Sequence, residues 1–239
     1  MSLPTLLLLP GLMCDHTVWH PLLPSLSARR TCVVVDHGDS DDLQDMALRV
    51  LATAPERFAL AGHSMGGRVA LEVCRLAPSR VSHLALLDTG YLPLASGEAG
   101  QEEVRKRQAL LVKAREQGVR AMAREWVQGM VHPGRLSDGP LIEAILDMFE
   151  RKSADIFERQ LRALVRRPDA TQVLEHLAMP TLVQCGRQDS WANVAQHQAL
   201  HAQVPGAVLD IIEDAGHMAP MERPEAVSAS LLRWLEMAP

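Results

Sequence analysis

The sequence predicts an α/β protein in which a mostly parallel, doubly wound sheet of about six strands is combined with an inserted helical cap. Short continuous apolar runs recur near both ends of the chain, and such runs are typical of strands buried on both faces of a parallel sheet. Helical patterns alternate with these runs, as in strand–helix–strand units. Between residues 91 and 175 the strand-like runs vanish and only amphipathic helical patterns remain, which predicts the insertion.

The first part of the sheet domain is predicted over residues 1–90. Its first apolar run is closed by the turn signal Pro10-Gly11, and a second run ends at Asp36. A helical pattern joins the two runs, so they are expected to pair in parallel. The runs predict strands over 5–11, 31–36, 58–62 and 83–88, and the helical patterns between them lie over 18–26, 43–54 and 65–76.

The helical cap is predicted over residues 91–175, and the second part of the sheet domain over 176–239. An insertion between two halves of a sheet is expected to cover the carboxyl ends of the strands, where the ligand crevice of such folds lies. The cap contains predicted helices at about 102–116, 119–131, 140–151 and 154–166. The second part contains strands over 180–186 and 206–212 and a closing helix at about 224–235.

Composition and charge argue against several classes of protein. The 239 residues are 47% hydrophobic, and the net charge of -5 gives no reason to expect a nucleic-acid partner. The four cysteines are far apart and form no CxxC pair, which argues against a disulfide framework and a zinc site. No apolar stretch approaches the length that spans a bilayer. We therefore expect a cytoplasmic protein with no membrane partner.

The most informative stretch is an apolar run that breaks into Gly-His-Ser-Met-Gly-Gly at 62–67 and continues as a helix. This is the pattern of a nucleophile elbow, in which a strained strand-to-helix turn exposes the serine, here Ser64. Glycines two residues on either side leave room for the tight backbone. The N–H groups at the start of the helix favour negative charge that develops beside the serine.

A serine nucleophile needs a base to take its proton and a carboxylate to orient that base. Loops after later predicted strands offer Asp189 and His217, and the chain order Ser, Asp, His is the one expected for this architecture. Asp88 also ends a predicted strand and is an alternative orienting acid, because the arrangement requires geometry and not a fixed position.

Four motifs together resemble the α/β-hydrolase superfamily: Leu-Pro-Gly-Leu at 9–12, Gly-His-Ser-Met-Gly-Gly at 62–67, Gly-Arg-Gln-Asp at 186–189 and Ala-Gly-His at 215–217. The resemblance covers nearly the whole chain. It is closest to small cytoplasmic carboxylesterases, including the pimeloyl-acyl-carrier methyl esterases and the enol-lactone hydrolases. It implies an α/β-hydrolase fold, here lacking the N-terminal antiparallel hairpin that usually opens the sheet of the family.

The resemblance also implies the roles of the site residues. Ser64 would be the nucleophile, His217 the general base and then acid, and Asp189 the group that orients His217. The oxyanion hole would be formed by the backbone N–H groups of Leu12 and Met65. Family members usually have His-Gly at the first turn, where this chain has Pro-Gly at 10–11, so the local hydrogen bonding there is left open.

The substrate pocket is expected near the reactive residues. Trp191 follows the acid directly and lies either in the pocket or in the core, and Met218 adjoins His217. Arg124 is a pocket candidate from the cap. The cap arginines Arg120, Arg124, Arg159 and Arg162 either meet an anionic substrate or form a solvated helix face. His16 and His20 are spaced four apart, but no partner spacing resembles a metal motif, so we expect no metal and no cofactor.

These observations predict a serine hydrolase that cleaves an ester, thioester or lactone of a small acyl substrate through an acyl-serine intermediate. A carrier protein as partner is conceivable, but nothing in the sequence supports one. Carbon–carbon bond hydrolases, lyases and acyltransferases use the same three residues and stay as alternatives. A ligand sensor that keeps the fold without catalysis is the alternative from a different class of protein.

Overall fold

The computed structural model describes residues 4–238, which contain a six-stranded sheet in the order β2-β1-β3-β4-β5-β6. All neighbouring strands pair in parallel. The predicted sheet of about six parallel strands is therefore confirmed, and the first strand of the described residues is β1. The strands are β1 Thr5–Leu9, β2 Cys32–Val34, β3 Phe58–His63, β4 Val81–Leu87, β5 Thr181–Gly186 and β6 Val208–Ile212.

The central strands consist of buried side chains on both faces, because helices cover the sheet on each side. Every residue of β3, β4 and β5 is buried. Strand β2 lies on one side of β1, and β3 lies on the other side, so the direction in which strands are added to the sheet reverses after β2. Because the connections are right-handed, the helix after β1 and the helix after β2 lie on opposite faces of the sheet. One layer contains α1 Leu23–Ser27 and α11 Pro224–Leu235, and the other contains α2 Leu43–Thr53 and α3 Met65–Leu76.

The segment between β4 and β5 is helical, as its periodicity predicts. Its helices are α4 Gly97–Gln117, α5 Val119–Trp126, α6 Gly139–Glu150, α7 Ala154–Val165 and α8 Thr171–Glu175. We call residues 91–175 the inserted segment. It contacts the sheet domain near the carboxyl ends of the strands: the Met13 N–H donates to Gln160 Oε1 at 2.8 Å, and the Arg151 guanidinium pairs with Asp15.

Two parts of the sheet domain differ from the prediction. The predicted single helix over 18–26 is wrong: the chain forms two 3-10 turns, His16–Val18 and His20–Leu22, before the short helix α1. Pro21 and Pro24 lack the N–H that an uninterrupted helix needs, so the segment is divided into short pieces. The helices α9 Val194–Ala202 and α10 Ala219–Glu222 were not predicted at all.

One large apolar core joins the sheet to both helical layers and to the inserted segment. Trp19 and Phe58 are fully buried in the sheet domain, and Phe149 and Phe157 are buried in the inserted segment. Among residues 4–238, no helix is both long and apolar enough to cross a membrane. The four cysteines are free thiols, three of them buried.

Candidate active site

Ser64 lies at the junction of β3 and α3, on a sharply bent backbone. Its φ is 54° and its ψ is -118°, a conformation that L residues rarely adopt and that costs on the order of 1–3 kcal/mol. The surrounding structure holds it there: the Ser64 N–H donates to the carbonyl of Leu87 at 2.9 Å, and the Thr89 hydroxyl donates to the Ser64 carbonyl at 2.7 Å. The side chain is consequently directed out of the sheet at the carboxyl end of β3.

The glycines of the elbow are required by close backbone contacts. A Cβ atom on Gly62 would lie 2.3 Å from the carbonyl oxygen of Gly66. A Cβ atom on Gly66 would lie 2.2 Å from the carbonyl oxygen of Leu9. Distances this short cannot be relieved by a side-chain rotation, because the colliding atoms belong to the backbone. The two glycines therefore allow α3 to start directly against β1 and β3.

The structure brings Ser64, His217 and Asp189 together in one chain of hydrogen bonds. His217 Nε2 lies 2.9 Å from Ser64 Oγ, and His217 Nδ1 lies 2.8 Å from Asp189 Oδ2. The Nδ1–H donates to the carboxylate, which leaves Nε2 free to accept the proton of the hydroxyl. This arrangement is able to remove the Ser64 proton while a carbonyl carbon is attacked.

Asp189 is held as a carboxylate in a buried loop after β5. Its Oδ1 accepts hydrogen bonds from the backbone N–H groups of Trp191 at 2.8 Å and of Ala192 at 3.0 Å. Burial by itself raises the pKa of Asp189, but the adjacent imidazole of His217 and these hydrogen bonds outweigh it, so the pKa lies below its ordinary value. The group that faces His217 is therefore ionised at neutral pH.

Asp88, the alternative acid, lies close by but faces elsewhere. Its Oδ1 accepts from the Gly186 N–H at 2.9 Å, and its Oδ2 lies 4.0 Å from His63 Nε2. Complete burial and the negative charge of Asp189 raise the pKa of Asp88 well above its ordinary value. Among residues 4–238, Asp189 is the carboxylate that contacts the His217 ring, so the geometry favours Asp189 over Asp88.

Backbone contacts with the inserted segment fix the loop that bears His217. The His217 N–H donates to the carbonyl of Met130 at 2.6 Å, and its own carbonyl accepts from His63 Nε2 at 2.7 Å. The buried carboxylate of Glu222 accepts from the N–H groups of Gly216 at 2.8 Å and of His132 at 2.7 Å. Glu222 thus ties the histidine loop to the inserted segment.

The predicted oxyanion donors, Leu12 and Met65, both line the cavity that contains Ser64. Met65 is the first residue of α3, where backbone N–H groups have no intrahelical acceptor. Within the described part of the chain, neither N–H has an internal hydrogen-bond acceptor. The carbonyl of Pro10 accepts from His37 Nε2 at 2.9 Å, so His37 supports this turn from another loop.

A cavity of about 660 Å³ opens above Ser64, between the sheet domain and the inserted segment. Trp191 and Met218 line it, as does Trp126 of α5, which stacks on Trp191 at 5.3 Å between ring centroids. Trp191 also packs against the ring of His217 at 4.9 Å. Arg124 does not line the cavity, contrary to the prediction: it is exposed, because the inward face of α5 carries Met122 and Ala123.

Three predicted arginines of the inserted segment pair with acidic residues, and none of them lines the cavity. Arg120 pairs with Glu143, Asp147 and Glu150, and Arg159 and Arg162 reach Asp39 and Asp41. Their positions match the solvated helix face and not the substrate contact. Among residues 4–238, no group of three or more His, Cys, Asp or Glu side chains is placed to hold a metal ion, and this includes the surroundings of His16 and His20.

Sequence reasoning missed several residues of the site. Trp126 and Glu222 act across long sequence separations, and no local pattern identifies such partners. Three further cavity residues, Arg68, Arg107 and Arg167, were also missed. Arg68 follows Ser64 by one helical turn, so the spacing in α3 was a signal that could have identified it.

Comparisons with known proteins identify the family of the chain. Residues 6–230 match the model of a family described as "Alpha/beta hydrolase family". The chain is 31% identical to the dihydrolipoyllysine-residue acetyltransferase component of the acetoin cleaving system of Pseudomonas putida, over 96% of this chain and 63% of that protein. It is 25% identical to the pimeloyl-[acyl-carrier protein] methyl ester esterase of Aliivibrio salmonicida, over 97% of this chain and 92% of that protein.

The solved structures give the same result at the level of the fold. The enol-lactonase from Burkholderia xenovorans LB400 superposes with a TM-score of 0.86 at 22% identity, covering 99% of this chain and 93% of that chain. The chain spans less than two thirds of the length of the acetyltransferase component that it matches. It spans nearly the whole length of the methyl ester esterase and of the enol-lactonase.

Proposed function

Because the chain belongs to the alpha/beta hydrolase family, we propose that it is a serine hydrolase that cleaves a carboxylic ester, thioester or lactone through an acyl-Ser64 intermediate. A hydrolase role is supported by the family and by its esterase and lactonase relatives. The serine mechanism is supported chiefly by one observation, the continuous hydrogen-bond chain from Asp189 through His217 to Ser64 Oγ at the floor of a cavity.

The proposed reaction has two halves. In the first, His217 Nε2 takes the proton of the Ser64 hydroxyl while Oγ attacks the carbonyl carbon of the substrate. The negative charge on the carbonyl oxygen is stabilised by the N–H groups of Leu12 and Met65. His217 then gives its proton to the leaving alcohol or thiol, and the carbon–oxygen or carbon–sulfur bond breaks. Asp189 stabilises the protonated imidazole throughout this half.

In the second half, water replaces the leaving group. His217 takes a proton from the water as its oxygen attacks the acyl carbon, and it returns that proton to Ser64 Oγ when the acyl–oxygen bond breaks. The product is a carboxylic acid, and the enzyme is regenerated. We propose that residues 91–175 act as a cap in both halves, since Trp126, Met130 and Phe149 of this segment enclose the cavity from above the sheet.

The first experiment tests the nucleophile. Purified protein is expected to release p-nitrophenol from short-chain p-nitrophenyl esters, and Ser64→Ala is expected to lower kcat by about 10³–10⁶-fold, because the residues of such a site act as a unit. Ser96→Ala is the matched control, since Ser96 is exposed at the start of α4 and its side chain makes no capping hydrogen bond.

A covalent label gives an independent readout of the same assignment. A fluorophosphonate is expected to add to the parent protein, and mass mapping should locate the adduct on the peptide that contains Ser64. Turnover retained in Ser64→Ala would contradict the nucleophile assignment. A parent protein that takes neither the label nor any ester would favour the ligand sensor.

A further inference from the structure

Three arginines lie close together on the wall of the cavity that contains Ser64. Arg68 comes from α3, Arg107 from α4, and Arg167 follows α7; all three line the cavity. We call them the arginine cluster. Glu103 pairs with Arg107 and Arg167, so three guanidinium groups and one carboxylate leave an excess of two positive charges.

Arg167 is fully engaged by the protein. Its Nη1 and Nη2 donate to the two carboxylate oxygens of Glu103 at 2.7 and 2.9 Å, and its Nη1 also donates to the carbonyl of Leu164 at 2.8 Å. The side chain is only 8% exposed. This pair fixes the position of Glu103 and leaves little donor capacity on Arg167 for a ligand.

Arg107 and Arg68 are not saturated in this way. Arg107 Nη2 lies 2.8 Å from Glu103 Oε1, while its Nη1 is buried and has no hydrogen-bond partner among residues 4–238. Arg68 donates from Nη1 to the carbonyl of Leu92 at 2.9 Å, and no carboxylate lies within salt-bridge distance of it in the described chain. Both side chains are half-buried. A buried charged donor without an acceptor, as at Arg107, is costly, and Arg68 has no charged partner, so an anion beside the two side chains would be favoured.

The charges of the arginine cluster also favour the binding of an anion. Burial and the charges of Arg167 and Arg107 lower the pKa of Arg68 to about 9, and burial lowers the pKa of Arg107. Both groups are still protonated at neutral pH. An anion bound between them would offset the mutual repulsion of the guanidinium groups, and a planar carboxylate matches the fork of an arginine.

We propose that the natural substrate is a monoester or monothioester of a dicarboxylic acid, whose free carboxylate binds Arg107 and Arg68 while its ester carbonyl lies at Ser64. This assignment rests on the serine hydrolase function proposed above. Apolar side chains that include Leu110, Leu161 and Leu164 line the same cavity and suit the methylene chain between the two groups. The backbone of Arg68 lies one turn of α3 after Ser64, so we take a chain of a few methylenes as the length to test.

Two matched esters test the proposal. Mono-p-nitrophenyl adipate and p-nitrophenyl hexanoate have acyl groups of the same length and differ in the terminal carboxylate. We expect kcat/KM of the parent protein to be about 10- to 100-fold higher for the adipate ester, mostly through a lower KM, because a charge-assisted bidentate pair forms with only one of them. The same ester with a terminal phosphonate tests the kind of anion, and faster turnover of the phosphonate would contradict the carboxylate.

Arg107→Gln is expected to lower the adipate-to-hexanoate ratio of kcat/KM by at least about tenfold. Arg105→Gln is the control on the same helix: Arg105 is exposed, pairs with Glu98 and Glu102, and does not line the cavity. Arg68→Gln repeats the test from α3, should Arg107→Gln fail to fold. Equal kcat/KM for the two esters in the parent, or a ratio that neither variant changes, would overturn the proposal while leaving the hydrolase intact.

A binding measurement separates failure of this proposal from failure of the hydrolase. Calorimetry with free adipate and Ser64→Ala should give binding that Arg107→Gln weakens by about tenfold or more. If neither ester is cleaved but adipate still binds through Arg107, the proposed anion site is supported and the proposed hydrolase function is wrong. If p-nitrophenyl hexanoate is cleaved and adipate does not bind, the proposed dicarboxylate substrate is wrong and the proposed hydrolase function is supported.

Discussion

The two buried carboxyl groups beside the site, Asp88 and Asp189, have opposite environments although both follow a strand of the same sheet. Asp189 accepts two backbone N–H groups and the His217 Nδ1–H, and its pKa lies below the ordinary value in spite of burial. Asp88 accepts one backbone N–H, and burial together with the charge of Asp189 raises its pKa. Asp189 contacts His217 as a carboxylate and is able to balance a charged imidazole, whereas the environment of Asp88 favours its protonated form and Asp88 does not contact that ring.

This difference predicts unequal effects of two isosteric substitutions. Asp189→Asn is expected to lower kcat/KM by about 10³–10⁴-fold, because the amide cannot stabilise a protonated His217 and favours the wrong tautomer. Asp88→Asn is expected to lower it by less than about tenfold, because Asp88 does not contact the His217 ring and its environment disfavours a negative charge. Ester hydrolysis by the two variants measures both effects. A larger loss for Asp88→Asn would show that the orienting acid had been misassigned.

The element that determines the site is the elbow between β3 and α3, which works only because α3 starts almost in contact with β1. Gly66 lies against the carbonyl of Leu9 at the end of β1, and Gly67 lies against the side chain of Thr89. The Thr89 hydroxyl donates in turn to the Ser64 carbonyl. The strained backbone of Ser64 is therefore held by neighbours on both sides, from β1 and from the loop after β4.

Gly66→Ala is expected to destabilise the protein by about 3 kcal/mol or more, because its Cβ would lie 2.2 Å from a backbone oxygen and α3 would have to move away from β1. Gly139→Ala at the start of α6 is the control, since a Cβ there meets nothing within 4 Å. Denaturant unfolding of both variants measures the free energies. A Gly66→Ala protein as stable as the parent would mean that the contact between α3 and β1 is looser than described.

At the scale of the whole molecule, buried histidines link the stability of the fold to pH. Burial lowers the pKa of His37, His63, His83 and His197, that of His63 to about 3. Three of these rings hold loops or the C-terminal segment through backbone carbonyls, namely those of Pro10, His217 and Met237. They are neutral in the folded protein but take up protons near pH 6.5 once the chain unfolds.

The free energy of unfolding is therefore expected to be highest above about pH 6.5 and to fall as the pH drops below it, because the unfolded state then binds more protons than the folded state. His63, whose pKa in the folded protein is about 3, contributes up to about 1.4 kcal/mol per pH unit below about pH 6.5, and the other three histidines add in the same direction. Denaturant unfolding between about pH 7.5 and pH 5.5 measures the slope. His63→Gln should lower this slope by the contribution of about one proton, whereas His20→Gln, at an exposed position, should not change the slope.

The sequence by itself determined the order of the core elements and the family. Continuous apolar runs with helical patterns between them predict a parallel sheet, because a strand covered on both faces has no polar side to alternate with. The helices α3 and α11 match the predicted bounds, 65–76 and 224–235. The superfamily resemblance is confirmed by the family match. The elbow motif is recognisable in the sequence because the tight turn allows only glycine at fixed positions around the serine.

Only the tertiary structure decided which distant groups meet. The choice of Asp189 over Asp88 depends on the direction in which two loops point, and the support that Glu222 gives to His217 joins segments far apart in sequence. The cavity arginines are Arg68, Arg107 and Arg167 and not the exposed arginines that helical spacing suggested. Periodicity in the sequence indicates which face of a helix or strand is buried. The element that this face contacts is determined by tertiary packing, and the side chains that line the cavity depend on that packing.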